Sequence, residues 1–222
     1  MRLKKVRYAA LVLSAYSLLA LPGHAKAAKK KHPPHPQAAP SFSVDAPIST
    51  WHQNPSLLTQ LASAFPVADF ALRPPQGYAV EQHVSDSEAD TAFQYEWDGT
   101  ARPDGRKPVL RVDITRAKPN AVSVVTLDDR LTELLGHMEQ KSPGLIHSPY
   151  QHGLINGISF VRTYFKVNPD AGPDKPRYHG FIYKATSNDG KSMITITASD
   201  VEPNNEDTLP LLEAAALTFR KP

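Results

Sequence analysis

Cysteine is absent from this 222-residue chain. Its absence excludes disulfide scaffolds, iron–sulfur clusters, Cys-ligated zinc and cysteine nucleophiles. No Gly-x-x-x-x-Gly-Lys loop, Gly-x-Gly-x-x-Gly turn, His-Glu-x-x-His pair or Gly-x-Ser-x-Gly elbow occurs, so the common phosphate, dinucleotide, zinc-protease and esterase signatures are missing. No apolar run after the first two dozen residues is long enough to span a membrane. No acid precedes Asp45, and eight of the 25 Lys and Arg residues lie within the first 31 positions. The remainder is mildly acidic, with 17 basic against 22 acidic side chains, so the net charge of +3 is no footprint for nucleic acid.

The basic start is an address. Met1–Arg7 carries four cations, Tyr8–Leu21 is apolar apart from Ser14 and Ser17, and Pro22-Gly23 ends the run before small residues at Ala25, Ala27 and Ala28. That order predicts a secretory signal peptide over residues 1–25 and an exported protein, periplasmic or secreted. Residues 26–48 follow as a leader rich in Pro, Ala and Lys. Pro33, Pro34, Pro36, Pro40 and Pro47 can neither continue a helix nor donate to a ladder.

Residues 49–222 read as one domain. Asn54 and Pro55 predict a helix over Pro55–Phe65, with Leu58, Leu61 and Phe65 on one face. Strands are predicted over Val67–Leu72 and Tyr78–Val84. Phe93, Tyr95 and Trp97 alternate with polar residues, as do Leu110, Val112 and Ile114, and Asp104-Gly105 turns between them. Thr126 caps a helix over Leu127–Gln140 whose stripe is Leu127, Leu131, Leu134, Leu135 and Met138. Asn156-Gly157 predicts a hairpin of Ile146–Ile155 with Ile158–Val167, and Asn188-Asp189-Gly190 one of Tyr178–Ser187 with Lys191–Ser199. A last helix is predicted over Thr208–Ala216, with Asp207 as its cap and Glu202, Glu206 and Asp207 favouring its N-terminus. The class is α+β: a mostly antiparallel sheet with helices packed on both faces, an α/β/α sandwich.

Several of these segments together resemble the PsbP/Mog1-like family. They are the strand Phe70-Ala71-Leu72, the turn Pro75-Gln76-Gly77-Tyr78, the helix Leu127–Gln140, Ile155-Asn156-Gly157, the aromatic strand Phe160–Phe165 and the ending Thr218-Phe219. The resemblance spans about residues 65–221. It implies an antiparallel sheet with helices on both faces. It also implies a binding or assembly module rather than an enzyme, since the family holds photosystem II extrinsic subunits, a Ran-binding nuclear protein and many exported bacterial proteins of unknown role. It carries over no partner-binding residue.

The chemistry-bearing residues form no recognisable constellation. His147 and His152 are five apart, on opposite faces of a regular strand, and no helical His pair exists, so no metal site is expected. Asp86-Ser87-Glu88-Ala89-Asp90 begins like a calcium loop, but Thr91 and Trp97 stand where Gly and Glu are required, which leaves a solvated connector. Glu96 and Asp113 are expected to meet Arg111 rather than to form an acid–base pair. No catalytic residue and no cofactor is assigned. The remaining candidates are the aromatics Phe160, Tyr164, Tyr178, Phe181 and Tyr183. They are core if both sheet faces are covered and a binding surface if one face is bare. The leading expectation is an exported non-catalytic domain that binds a protein or envelope component. The alternatives are a carrier of a small apolar ligand and a cryptic hydrolase.

Overall fold

Turn chemistry and period-two alternation build the sheet. A computed structural model describes residues 49–118, 125–168 and 176–222. These belong to a unit spanning Pro47–Pro222. The predicted signal peptide and leader lie outside the described residues, as does most of the loop between Val167 and Tyr178.

The chain opens with β1 (Ser49–Thr50), a 3-10 turn (Pro55–Gln60) and a small hairpin of β2 (Phe65–Val67) and β3 (Phe70–Leu72). Then come β4 (Ala79–Asp86), β5 (Asp90–Asp98), β6 (Val109–Ala117), α1 (Leu127–Lys141), β7 (Ile146–His147) and β8 (Gln151–Ile155). It closes with β9 (Ile158–Val167), β10 (Tyr178–Thr186), β11 (Ser192–Val201) and α2 (Asn205–Ala216). The main sheet runs β1-β8-β9-β10-β11-β6-β5-β4, with β7 also on β9. Every pair is antiparallel except β1 with β8, so the sheet is mixed but mostly antiparallel.

The three predicted hairpins form in register. Asn156 and Gly157 take φ of 48° and 83°, the left-handed pair that a two-residue turn between twisted strands needs. Thr126 accepts from the Asp129 amide and caps α1 as expected.

Four local expectations are corrected. The helix over Pro55–Phe65 stops at Gln60 as a 3-10 turn, because Arg73 donates to the carbonyls of Leu58, Leu61 and Ala62 and so draws off helix acceptors. The strand Val67–Leu72 is instead a hairpin arm and its return, bent at Ala68 with φ of 51°. The strand Ile146–Ile155 is broken at Ser148–Tyr150. There Ser148, Pro149 and Tyr150 oppose only Thr163 and Tyr164, a bulge held by Thr163 Oγ1 donating to the Ser148 carbonyl and the Tyr164 amide donating to Ser148 Oγ. His147 and His152 therefore do not share one strand. The last helix starts at Asn205, three residues early, and Asp207 lies within its first turn rather than at its cap.

The interior lies on both sides of the sheet. Phe160, Phe181, Tyr183, Ile194, Ile196, Val112 and Trp97 pack with Leu212, Ala215 and Ala216 of α2 and with Phe219. Val161, Phe165, Val167 and Ile182 point the other way and pack with Leu131, Leu135 and Met138 of α1. Each fully buried Val, Leu, Ile, Phe or Met among them contributes about 1.5–3 kcal/mol of transfer free energy. Towards β5 the α1 side turns polar, with Thr195, Thr197, Asp113, Gln94 and Glu96 all half-buried. Arg111 pairs there with Asp113 at 2.8 Å and lies 3.9 Å from Glu96, as the sequence predicted.

Candidate functional site

The five aromatic candidates do not form one surface. Phe160, Phe181 and Tyr183 are at most 1% exposed and pack with α2, the β2–β3 hairpin and the chain end. Tyr178 is half-buried on the α1 side. Tyr164 is half-buried on the α2 side and, like the hydroxyl of buried Tyr183, reaches a polar cluster at the sheet rim.

That cluster begins at β1. Two parallel pairings set β1 on β8, and the Trp51 amide extends the ladder by donating to the Leu154 carbonyl at 3.0 Å. The Trp51 ring then lies flat over Gly153. A Cβ at residue 153 would stand 2.2 Å from the ring, so only glycine admits it. The Arg162 guanidinium stacks over the Trp51 ring, 4.1 Å from its centroid, and the Tyr183 ring meets Trp51 edge-on at 5.4 Å.

Arg162 also donates from Nε to Gln151 Oε1 at 2.8 Å, and from Nη1 to Tyr183 Oη at 2.8 Å and Glu213 Oε1 at 3.1 Å. Tyr164 and Tyr183 both donate to that same Glu213 oxygen, each at 2.5 Å. Burial, then the Glu213 hydrogen bond and charge, push the Tyr164 phenol up to about 12. Burial above all, with Glu213 adding, pushes Tyr183 up further. Both therefore stay protonated donors near neutrality. Beside Trp51 a shallow recess is lined by Thr50, His52, Gln53, Leu154, Asn156 and Gly157. Gln53 and Asn156 anchor its floor by donating to the Leu217 and Phe219 carbonyls.

The other ionisable residues are dispersed. Asp200 forms a two-pronged pair with Arg102. Glu202, expected to serve the last helix, instead accepts from His179 at 2.5 Å and lies 3.5 Å from Arg177. Asp86–Asp90 forms the β4–β5 turn, in which Ser87 Oγ accepts from the Ala89 and Asp90 amides and Lys118 pairs with Asp86. Among the described residues no group of three potential metal ligands converges, and no helix is long and apolar enough to cross a membrane.

The arrangement defines a PsbP-like fold. The solution structure of cyanobacterial PsbP (CyanoP) from Synechocystis sp. PCC 6803 is similar, with 15% sequence identity and a TM-score of 0.50. The match covers 73% of this chain and 93% of that one. Neither a protein-family model nor a curated protein sequence matches the chain.

Proposed function

We propose that this chain is an exported, non-catalytic accessory domain that binds a protein or envelope component at the β1–β8 edge. We read the two helices as covers on opposite faces of the sheet, the sandwich expected from the sequence, which leaves edges and rims for partners. One observation carries the assignment: Trp51, Tyr164 and Arg162 gather, each partly exposed, where Trp51 lines a recess. These residue types dominate binding energy at protein interfaces. The fold shared with cyanobacterial PsbP supports an accessory role.

The test is affinity capture from envelope extracts with the purified protein, repeated with Trp51→Ala and Arg162→Ala after circular dichroism has confirmed folding. The reading requires a captured species that both substitutions release. Capture indifferent to both substitutions defeats it. So does a stoichiometric lipid in native mass spectra, which would favour the carrier. Hydrolysis abolished by a single acid or His substitution would favour the enzyme.

A further inference from the structure

The opposite edge of the sheet ends in a regular strand, β4, which pairs with no further strand among the described residues. All eight residues of β4 are exposed, and each pairs in unbroken register with β5. The strand holds no proline, no lysine and no bulge, three of the devices that stop edge strands from pairing, though Glu81 and Asp86 charge it. Two of its side chains, Val80 (39%) and Val84 (66%), are exposed hydrophobics.

Backbone phase follows from neighbouring hydrogen bonds. The Ser87 amide donates to the Asp90 carbonyl across the turn, so Ser87 and Asp90 form a hydrogen-bonded pair. On the far side of β5, Gly99 donates to Pro108, and Lys118 to Ala89. Odd residues of β5 thus bond to β6 and even ones to β4. Odd residues of β4 are consumed by β5, and Val80, Gln82, Val84 and Asp86 direct their N–H and C=O groups outwards.

These outward groups are self-complementary. An antiparallel copy centred on Gln82 sets Gln82 against the partner's Gln82 and Val80 against the partner's Val84. Both are hydrogen-bonded pairs. Glu81 then stands against the partner's His83 in the closer, non-bonded pairing. The Val80–Val84 neighbours are apolar with apolar and the Glu81–His83 neighbours acid with imidazole, each twice over by symmetry about the central Gln82 pair. Shifting the copy by two residues would break those matches and set Val84 against Gln82.

We propose that β4 is a homodimer interface, joining two sheets edge to edge about a two-fold axis at Gln82. The site is independent of the β1–β8 edge, so either assignment can fail alone.

The chain's lack of cysteine makes the test selective. Gln82→Cys places one thiol per protomer on the axis, with Cα atoms about 5.5 Å apart, within the disulfide range. Val84→Cys, equally accessible, leaves the thiols offset by about 13 Å along the strand. Mild oxidation is expected to give a covalent dimer from the first and not from the second. Equal cross-linking, or none from Gln82→Cys, overturns the proposal. Gln82→Pro removes an outward N–H that β5 does not use. Sedimentation over a concentration series should show dimer for the native protein and monomer for this variant. A native monomer throughout, or a dimer indifferent to Gln82→Pro, also overturns it.

Discussion

Replacing Asp200 should be among the most damaging single changes in the described unit. Its side chain is wholly buried. Arg102 Nη1 and Nη2 each reach one carboxylate oxygen at 2.6 Å, the Val201 amide donates to Oδ1 at 2.7 Å, and the Thr208 hydroxyl donates to Oδ2. Arg102 belongs to the β5–β6 connection and Thr208 to α2, so one carboxylate ties a loop, a strand end and a helix together. Nearby, burial and the Asp200 charge push the Tyr78 phenol up to about 12. Asp200→Ala leaves the guanidinium short of its acceptor. Breaking a buried pair from one side costs about 3–5 kcal/mol. The Arg102 side chain keeps 19% exposure and can recover some hydration, which favours the lower end. A loss of about 3 kcal/mol, at about 2–4 °C per kcal/mol for a unit of this size, lowers the melting midpoint by about 6–12 °C. Asp200→Asn should cost nearly as much, because its amide presents donors to donors. A cycle with Arg102→Met should show the two losses to be far from additive. Urea unfolding of the four proteins reads these values. A loss under about 1 kcal/mol for Asp200→Ala would mean that the pair acts as an exposed one and would refute the argument.

Lys184 is buried, with Thr195 Oγ1 as its hydrogen-bond acceptor at 3.1 Å, and burial, then Arg130, lowers its pKa. A depressed lysine pKa destabilises the fold while the group is charged, so Lys184→Met should stabilise by about 1 kcal/mol at neutral pH. That gain should fade as pH rises from the lowered folded pKa towards the unfolded value near 10.4, as thermal melts across pH would show. Gly153→Ala should expel the Trp51 ring at a cost of about 1–3 kcal/mol and shift tryptophan emission to the red, since Trp97 stays buried; unshifted emission would contradict the packing described. The hydrogen bond from His179, then its charge, holds the Glu202 carboxyl below the usual carboxylate range. Its contribution is present above the unfolded carboxylate pKa and lost as pH falls through the folded one, so the midpoint gap to Glu202→Gln should begin to close below the unfolded value of about 4.3 and vanish only below the lowered folded pKa.

What the sequence reveals is what is encoded locally. Asn156-Gly157 and Asp104-Gly105 announce their turns, and alternation over Phe93–Trp97 and Leu110–Ile114 sets which side chains are buried. Phe160 and Val161 are both apolar and adjacent, and both are buried. The missed features depend on partners far away in the chain. Leu58, Leu61 and Phe65 have helical spacing, yet Arg73 takes the carbonyls and Phe65 leaves to pack edge-on against Trp97. Trp51, Arg162, Tyr183 and Glu213 meet only after β1 docks on β8 and α2 folds across the sheet. The one local hint was Gly153 inside a strand pattern, where glycine marks close approach by another group.

The titration pattern bears on whether such a fold does chemistry. A general acid or base works best with a pKa near the working pH. Here Tyr78 and Tyr164 are pushed up to about 12, Asp86, Asp189 and Glu202 are pulled down, and Arg102 and Lys107 are held further up. All move away from neutrality, as stabilising pairs and buried phenols do. Glu96 and Lys184 move the other way, Glu96 upwards by burial and then by Asp98. They share the α1 side of the sheet, but β11 and β6 lie between their strands, which separates them by about 14 Å of sheet. The Arg111–Asp113 pair stands in that gap, and Lys184 is committed to Thr195. Two groups so placed cannot attend one reacting atom.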